Sequence, residues 1–294
     1  MPGETHPAGP RSGAAEDGSS LAALVRRHDR DRYQTALFAP AGRREALLAL
    51  YAFNYEIARV RETVTQPMLG QIRLQWWREV LHAAYAGAPP RNHPVAVALT
   101  AAIREFGLTR ELFDRLVDTR ERDLVDEPPA TLAVLEDYAE GSSVPLVQLA
   151  LQVLGARDTG VEETTWYVGI GHALAGLLRA MPFHARAGRC YIPADLAERA
   201  SLDPADYAAG RGTLAMRTVA REIAEAAMAH LSAARNGRPI IPRSAMAAVL
   251  PAVVADRFLA RLRRTGYDPF APVLAAPDPP QIWRLALASL LKRF

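Results

Sequence analysis

The sequence predicts an all-α protein, and three observations carry that prediction. Apolar residues recur at three- and four-residue steps through most of the 294-residue chain, the period of one helix face. Ala, Leu and Arg dominate while aromatics make up 7%, a composition that favours helix over sheet. No apolar–polar alternation persists long enough to build a layer of strands.

The elements follow in order. Residues 1–20 are rich in Gly, Pro, Ser and Ala, carry Glu4, Glu16 and Asp17, and lack the apolar core of a signal peptide. They read as a disordered tail. Leu47, Leu50, Tyr51, Asn54, Ala58 and Glu62 share one side of a predicted helix. Ile72 to Tyr85 carries Trp76, Trp77, Val80, Leu81 and Tyr85; the adjacent tryptophans cannot face the same way. Helices are predicted over Val95 to Phe106 and Leu112 to Leu124, the latter with Thr109 as N-cap and Glu111 in its first turn. Leu132 to Leu154 is a long apolar stretch in which Gly141, Ser142, Ser143 and Pro145 predict a kink. Trp166, Ile170, Leu174, Leu177 and Leu178 form the next stripe, halted near Pro182. Leu214 to Leu231 and Ala245 to Leu262 follow. The breaker Pro277-Asp278-Pro279-Pro280 precedes a last helix, Ile282 to Phe294. With half of the residues hydrophobic, no fixed repeat and no long linker, residues 21–294 form one domain with one core.

Several function classes are excluded. A net charge of +3 with acids and bases interleaved argues against nucleic acid as a partner. One cysteine, Cys190, rules out a disulfide framework and points to a reducing, cytoplasmic compartment. No apolar run approaches the roughly 18 residues that span a bilayer. Gly169, Gly171 and Gly176 follow no strand, so helix packing explains them better than a dinucleotide loop. Seven scattered histidines make no zinc motif. Asp114, Asp118 and Glu121 share one helix face amid arginines, the pattern of a salt-bridged surface.

Two segments carry more information: Tyr51-Ala52-Phe53-Asn54-Tyr55-Glu56-Ile57-Ala58-Arg59-Val60-Arg61-Glu62, and the run from Leu177-Leu178-Arg179-Ala180-Met181-Pro182-Phe183-His184 through Arg186, Arg189, Cys190 and Tyr191 to Pro193. Together with Arg73-Leu74-Gln75-Trp76-Trp77-Arg78-Glu79-Val80, Asp123-Leu124 and Leu135-Glu136-Asp137-Tyr138-Ala139, they resemble the squalene and phytoene synthase family of head-to-head prenyl transferases. The resemblance spans Asp31 to Asp195. It implies the isoprenoid-synthase fold, a helical bundle around a central cavity.

In active members, the resemblance implies, each signature helix carries two aspartates four residues apart. They hold magnesium ions that bridge to a substrate diphosphate and stabilise the leaving group. Here the first pair aligns with Ala58 and Glu62, with Arg59 where a further aspartate is usual. The second aligns with Ala180 and His184, and Pro182 interrupts that helix. Alanine offers magnesium no ligand, His184 is a softer nitrogen donor, and Arg59 and Arg61 add repelling charge. The expectation is a pseudoenzyme with no catalytic residue, no metal and no cofactor. Its degenerate cavity is expected to be lined by Tyr51, Asn54, Ala58, Arg59, Glu62, Arg179, Ala180, His184, Arg189 and Tyr191.

The same segments resemble a non-catalytic branch of the family that includes a respiratory complex I assembly factor. That likeness implies complex I subunits or assembly proteins as partners. Two alternatives stand beside it. One is an active prenyl diphosphate transferase with magnesium relocated to Glu56, Glu62, Asp118 and Asp123. The other is a carrier holding a prenyl or lipid ligand. Arg59, Arg61, Arg179, Arg186 and Arg189 either surround an anionic head group or pair with acids such as Glu56, Glu62 and Glu140. His184 is expected to bond a backbone carbonyl in preference to transferring a proton; the resemblance places Arg189 and Tyr191 near the diphosphate, and Tyr191 could equally pack with a satisfied hydroxyl. Trp283, Leu287, Leu290 and Leu291, beside Arg284, Lys292 and Arg293, either close the bundle or touch an anionic membrane surface, which would place the chain peripherally at an inner membrane.

Overall fold

The computed structural model describes residues 17–276 and 281–294. Among them every regular element is helical. The tail expected over residues 1–20 lies outside the described residues up to residue 16; Asp17 opens the first helix. The Pro277–Pro280 breaker also lies outside them.

In chain order the first helices are α1 (Asp17–His28), α2 (Arg30–Ala36), α3 (Arg44–Ala58), α4 (Pro67–Tyr85), α5 (Pro94–Phe106) and α6 (Arg110–Glu121). Then come α7 (Leu132–Leu154), α8 (Thr159–Arg186), α9 (Ala194–Arg199), α10 (Pro204–Ala208) and α11 (Leu214–Asn236). The last are α12 (Met246–Val249), α13 (Pro251–Arg264), α14 (Pro272–Ala275) and α15 (Gln281–Leu291). Local chemistry sets many of the boundaries. Asp29, Thr131 and Asp158 each accept a bond from a first-turn N–H of α2, α7 and α8, which satisfies a donor the helix leaves open. Gly107 and Gly155 close α5 and α7 in the left-handed region, at φ 58° and 74°, where a side chain would be strained.

α8 is the axis of the bundle: α7, α11 and α13 pack against it. The glycines set how close they come. A Cβ on Gly169 would lie 2.9 Å from Val144 Cγ2 of α7, and one on Gly171 would lie 2.7 Å from Leu231 of α11. These two glycines are therefore packing residues, whereas Gly176 is open and faces the cavity described below. On the other side Phe53 of α3 meets the edges of Trp77 (5.3 Å) and Phe113 (5.5 Å), an arrangement that adds to area burial. Trp76 is half-buried; it meets Trp77 edge-on at 4.8 Å and is flanked by Arg91 and His93.

The structure corrects several boundaries. α7 runs through Pro145 and α8 through Pro182, ending at Arg186. The first stripe stops as an α-helix at Ala58, and Glu62 belongs to a separate 3-10 turn, Val60–Thr63. Thr109 precedes α6 but makes no cap; its hydroxyl accepts from Gln152 Nε2 (2.9 Å). Residues 245–262 break into α12 and α13 at Leu250-Pro251. Finally, α15 meets the bundle through Leu285 and Ala288, so its Trp283–Leu287–Leu290–Leu291 stripe points outward. No helix of the described residues is long and apolar enough to cross a membrane.

Candidate functional site

The ends of α3 and α8, the start of α2, the end of α6 and the middle of α7 enclose a cavity of about 330 Å³. Eight of the ten expected residues line it: Asn54, Ala58, Glu62, Arg179, Ala180, His184, Arg189 and Tyr191. Tyr51 and Arg59 do not. Tyr51 is buried beneath it in a small void shared with Arg32 and His172, and burial pushes its hydroxyl up to about 12. Arg59 turns away, lying 5.2 Å over the Tyr55 ring and 3.4 Å from Glu56.

The centre of the wall is a carboxylate. Asp123 is 8% exposed; its Oδ1 accepts from the Tyr138 hydroxyl (2.7 Å) and the Tyr191 hydroxyl (2.8 Å), and its Oδ2 from Arg120 (3.3 Å). Arg120 also donates to Tyr138 at 2.7 Å. One buried charge that accepts three hydrogen bonds thereby ties together α6, the turn just after it, α7 and the segment that follows α8. A second ion pair, Arg32 with Asp29 at 2.7 Å, closes the α2 side. Tyr191 has the satisfied hydroxyl the sequence suggests.

The α8 side is less complete. His184 lies 4.7 Å from the Tyr191 ring, and its Nδ1 has no partner among the described residues, so the expected bond to a backbone carbonyl is not formed. Burial first, then the Arg189 charge, lower its pKa to about 4 against the pull of Asp123. His172, one face earlier in α8, is lowered to about 4 by burial and by Arg32 and Arg179; its Nδ1 is likewise unpartnered. Both imidazoles are neutral at pH 7. Asn54 Oδ1, Ser143 Oγ and Arg120 Nε complete a set of five buried polar atoms, on residues that line the cavity, without a protein partner. Leaving such atoms unpaired costs roughly 1–3 kcal/mol each.

The arginines divide. Arg61 pairs with Asp126 (2.8 Å) and Arg179 with Asp31 (2.5 Å). Burial raises the Asp31 pKa, but the Arg179 charge and the bonds from Gln281 and Arg179 outweigh it, leaving a net lowering. Arg186 is exposed, and Glu140 pairs with Arg115 (2.6 Å) instead of a signature-helix arginine. Arg189 reaches the cavity with no ion pair among the described residues. Asp118 and Glu121 both bind Arg78, at 2.6 and 2.9 Å, and Asp114 binds Arg110, making the salt-bridged surface expected of that face.

The positions that the resemblance aligns with magnesium ligands offer few oxygen donors. The four aligned positions present Ala58, an exposed Glu62, Ala180 and the neutral His184. Among the described residues no three His, Cys, Asp or Glu side chains converge on a metal-sized site. Of the relocated set, Glu56 and Asp118 pair with Arg59 and Arg78. Sequence reasoning left Asp29, Arg32, Arg120, Asp123, Tyr138 and His172 out of the cavity. The Asp123-Leu124 and Leu135-Glu136-Asp137-Tyr138-Ala139 matches are the available signals for two of them.

A helical bundle with signature-helix ends around one cavity defines an isoprenoid-synthase architecture. The squalene/phytoene synthase family model matches residues 25–288; the chain belongs to that family. It is 31% identical over 251 residues to human NADH dehydrogenase (ubiquinone) complex I, assembly factor 6, covering 85% of this chain and 75% of that one. It is 26% identical over 215 residues to presqualene diphosphate synthase of Rhodopseudomonas palustris, covering 71% and 76%. Squalene synthase HpnC from Alicyclobacillus acidocaldarius superposes with a TM-score of 0.75 at 25% identity, covering 86% and 95%.

Proposed function

We propose that the chain is a non-catalytic member of its family, an assembly or binding factor in the construction of respiratory complex I. The observation that carries this reading is the cavity wall itself. Where the family resemblance aligns four metal-binding carboxylates, the wall offers two alanines, a neutral imidazole and one exposed acid. Its buried carboxylate, Asp123, already accepts from Arg120, Tyr138 and Tyr191. Without a metal to take the developing negative charge, diphosphate departure loses several kcal/mol of stabilisation, about a thousandfold or more in rate. The similarity to complex I assembly factor 6 supports the assembly role.

The test has two arms. Purified full-length chain, given farnesyl or geranylgeranyl diphosphate with magnesium, is expected to release no diphosphate above the buffer rate. Deleting the gene in its host is expected to lower NADH:quinone oxidoreductase activity, with restoration by the wild type. Multiple turnover in the first arm, or unchanged complex I in the second, overturns the reading.

One observation favours a second reading, the carrier. Arg189 lines the cavity with no ion pair among the described residues, and a guanidinium there suits a polar head group bound without metal. Native mass spectrometry of gently purified protein is expected to show an adduct on that reading, and bare protein counts against it.

A further inference from the structure

We propose that the outward face of α15 docks on an anionic lipid surface. Trp283, Leu287, Leu290 and Leu291 stand at three- and four-residue steps on one side of this helix and are 77%, 56%, 67% and 50% exposed. The opposite side is fixed: Leu285, Ala288 and Phe294 are buried. Both ends are tied down as well. Gln281 donates to Asp31 at 2.8 Å, and Arg238 both bonds the Phe294 carbonyl and lies 5.5 Å over its ring. The apolar face is thus held outward by the fold.

Charge complementarity identifies the occupant. Residues 281–294 contain no Asp or Glu, but they hold Arg284, Arg293 and Lys292, the chain's single lysine. An indole and three leucines over basic flanks form the pattern of a helix lying in the headgroup layer, where apolar burial and attraction to anionic lipid act together. A second exposed apolar strip, Met68, Leu69 and Ile72 on α4, adjoins a hollow where Glu79 and Glu121 pair with Arg91 and Arg78, so that hollow presents no basic excess to an anionic bilayer. The α15 face uses no cavity residue, so this inference stands or falls apart from the assembly reading.

The test is flotation of the full-length chain with phosphatidylcholine vesicles, with and without roughly a third of phosphatidylglycerol. Co-flotation is expected with the anionic vesicles only, and weakened by salt. The double variant L287E/L290E is expected to bind roughly tenfold or more weakly, and M68E/I72E to bind as the wild type. Circular dichroism and urea titration check that both variants fold, which is expected because all four positions are exposed. No flotation, equal flotation with neutral vesicles, or undiminished binding by L287E/L290E overturns the proposal. So does a chain that ignores vesicles but forms dimers in sedimentation that L287E/L290E dissociates, because the occupant is then a second copy.

Discussion

Two groups of residues line the same cavity and are built differently. Around Asp123, one buried carboxylate meets two tyrosine hydroxyls and a guanidinium, all within 3.3 Å. At the ends of α3 and α8, Ala58 and Ala180 carry no polar group, Glu62 is exposed, and the His184 Nδ1 has no partner. The first group holds the architecture together; the second leaves room in it. A cavity can therefore keep its walls while the positions aligned with metal chemistry contribute little to folding.

The sharpest way to break that comparison is D123A. It strands the buried Arg120 charge and two hydroxyls, and removing one partner of a buried pair costs about 3–5 kcal/mol. Urea denaturation should show a loss of that order, and D123N a smaller one because the amide still accepts from a tyrosine. A loss below about 1 kcal/mol for D123A would mean the wall does not depend on its carboxylate.

The second effect is a pH dependence from the less complete side. His172 and His184 have folded pKa values near 4, below the unfolded value of 6.5. As pH falls through 6.5 the unfolded chain takes up these protons and the folded chain does not, so stability is lost between about pH 6.5 and 4 and levels off below. Each histidine contributes up to about 3 kcal/mol of that slope. Replacing both with glutamine should flatten urea midpoints measured from pH 7.5 to 5, and an unchanged slope would show that other groups carry it.

Much of the fold and part of the site were legible before any coordinates. Three-and-four spacing marked most of the long helices, and the signature segments placed Asn54, Ala58, Ala180 and His184 at one cavity. Two kinds of feature were not legible. Proline costs about 3 kcal/mol inside a helix, yet α7 carries Pro145 through its buried centre, where packing against α6 and α8 outweighs the lost bond. Pro182 likewise removes the donor to the Leu178 carbonyl, yet α8 continues one further turn to Arg186. The other feature is which arginine faces inward. Because α3 stops at Ala58 and a 3-10 turn follows, Arg59 swings to Glu56, and the cavity instead takes Arg32 from α2. Likewise the tyrosine partners of Asp123 lie 15 and 68 residues away on other elements, separations that no local spacing rule reports.

A smaller effect links the cavity rim to the outer helix. Asp31 is shared by Arg179, which lines the cavity, and Gln281, the first residue of α15. Q281A removes one hydrogen bond to a charged group and should cost about 1–2 kcal/mol in urea titration. It should also increase amide exchange in α15 while leaving α7 protected. If exchange is unchanged, the α15 packing side alone fixes the helix.

The smallest expected effect decides most about the comparison. Glu62 is exposed and makes no ion pair among the described residues, so E62A should alter stability by less than about 0.5 kcal/mol. Calorimetric titration with a farnesyl diphosphate analogue should give the same result for wild type and E62A, with or without magnesium, because one exposed acid cannot assemble the oxygen cage that magnesium requires. Binding that needs magnesium and disappears in E62A would instead place a working metal site at the incomplete end of the cavity. The two groups would then differ in occupancy and not in purpose, and the transferase reading would return.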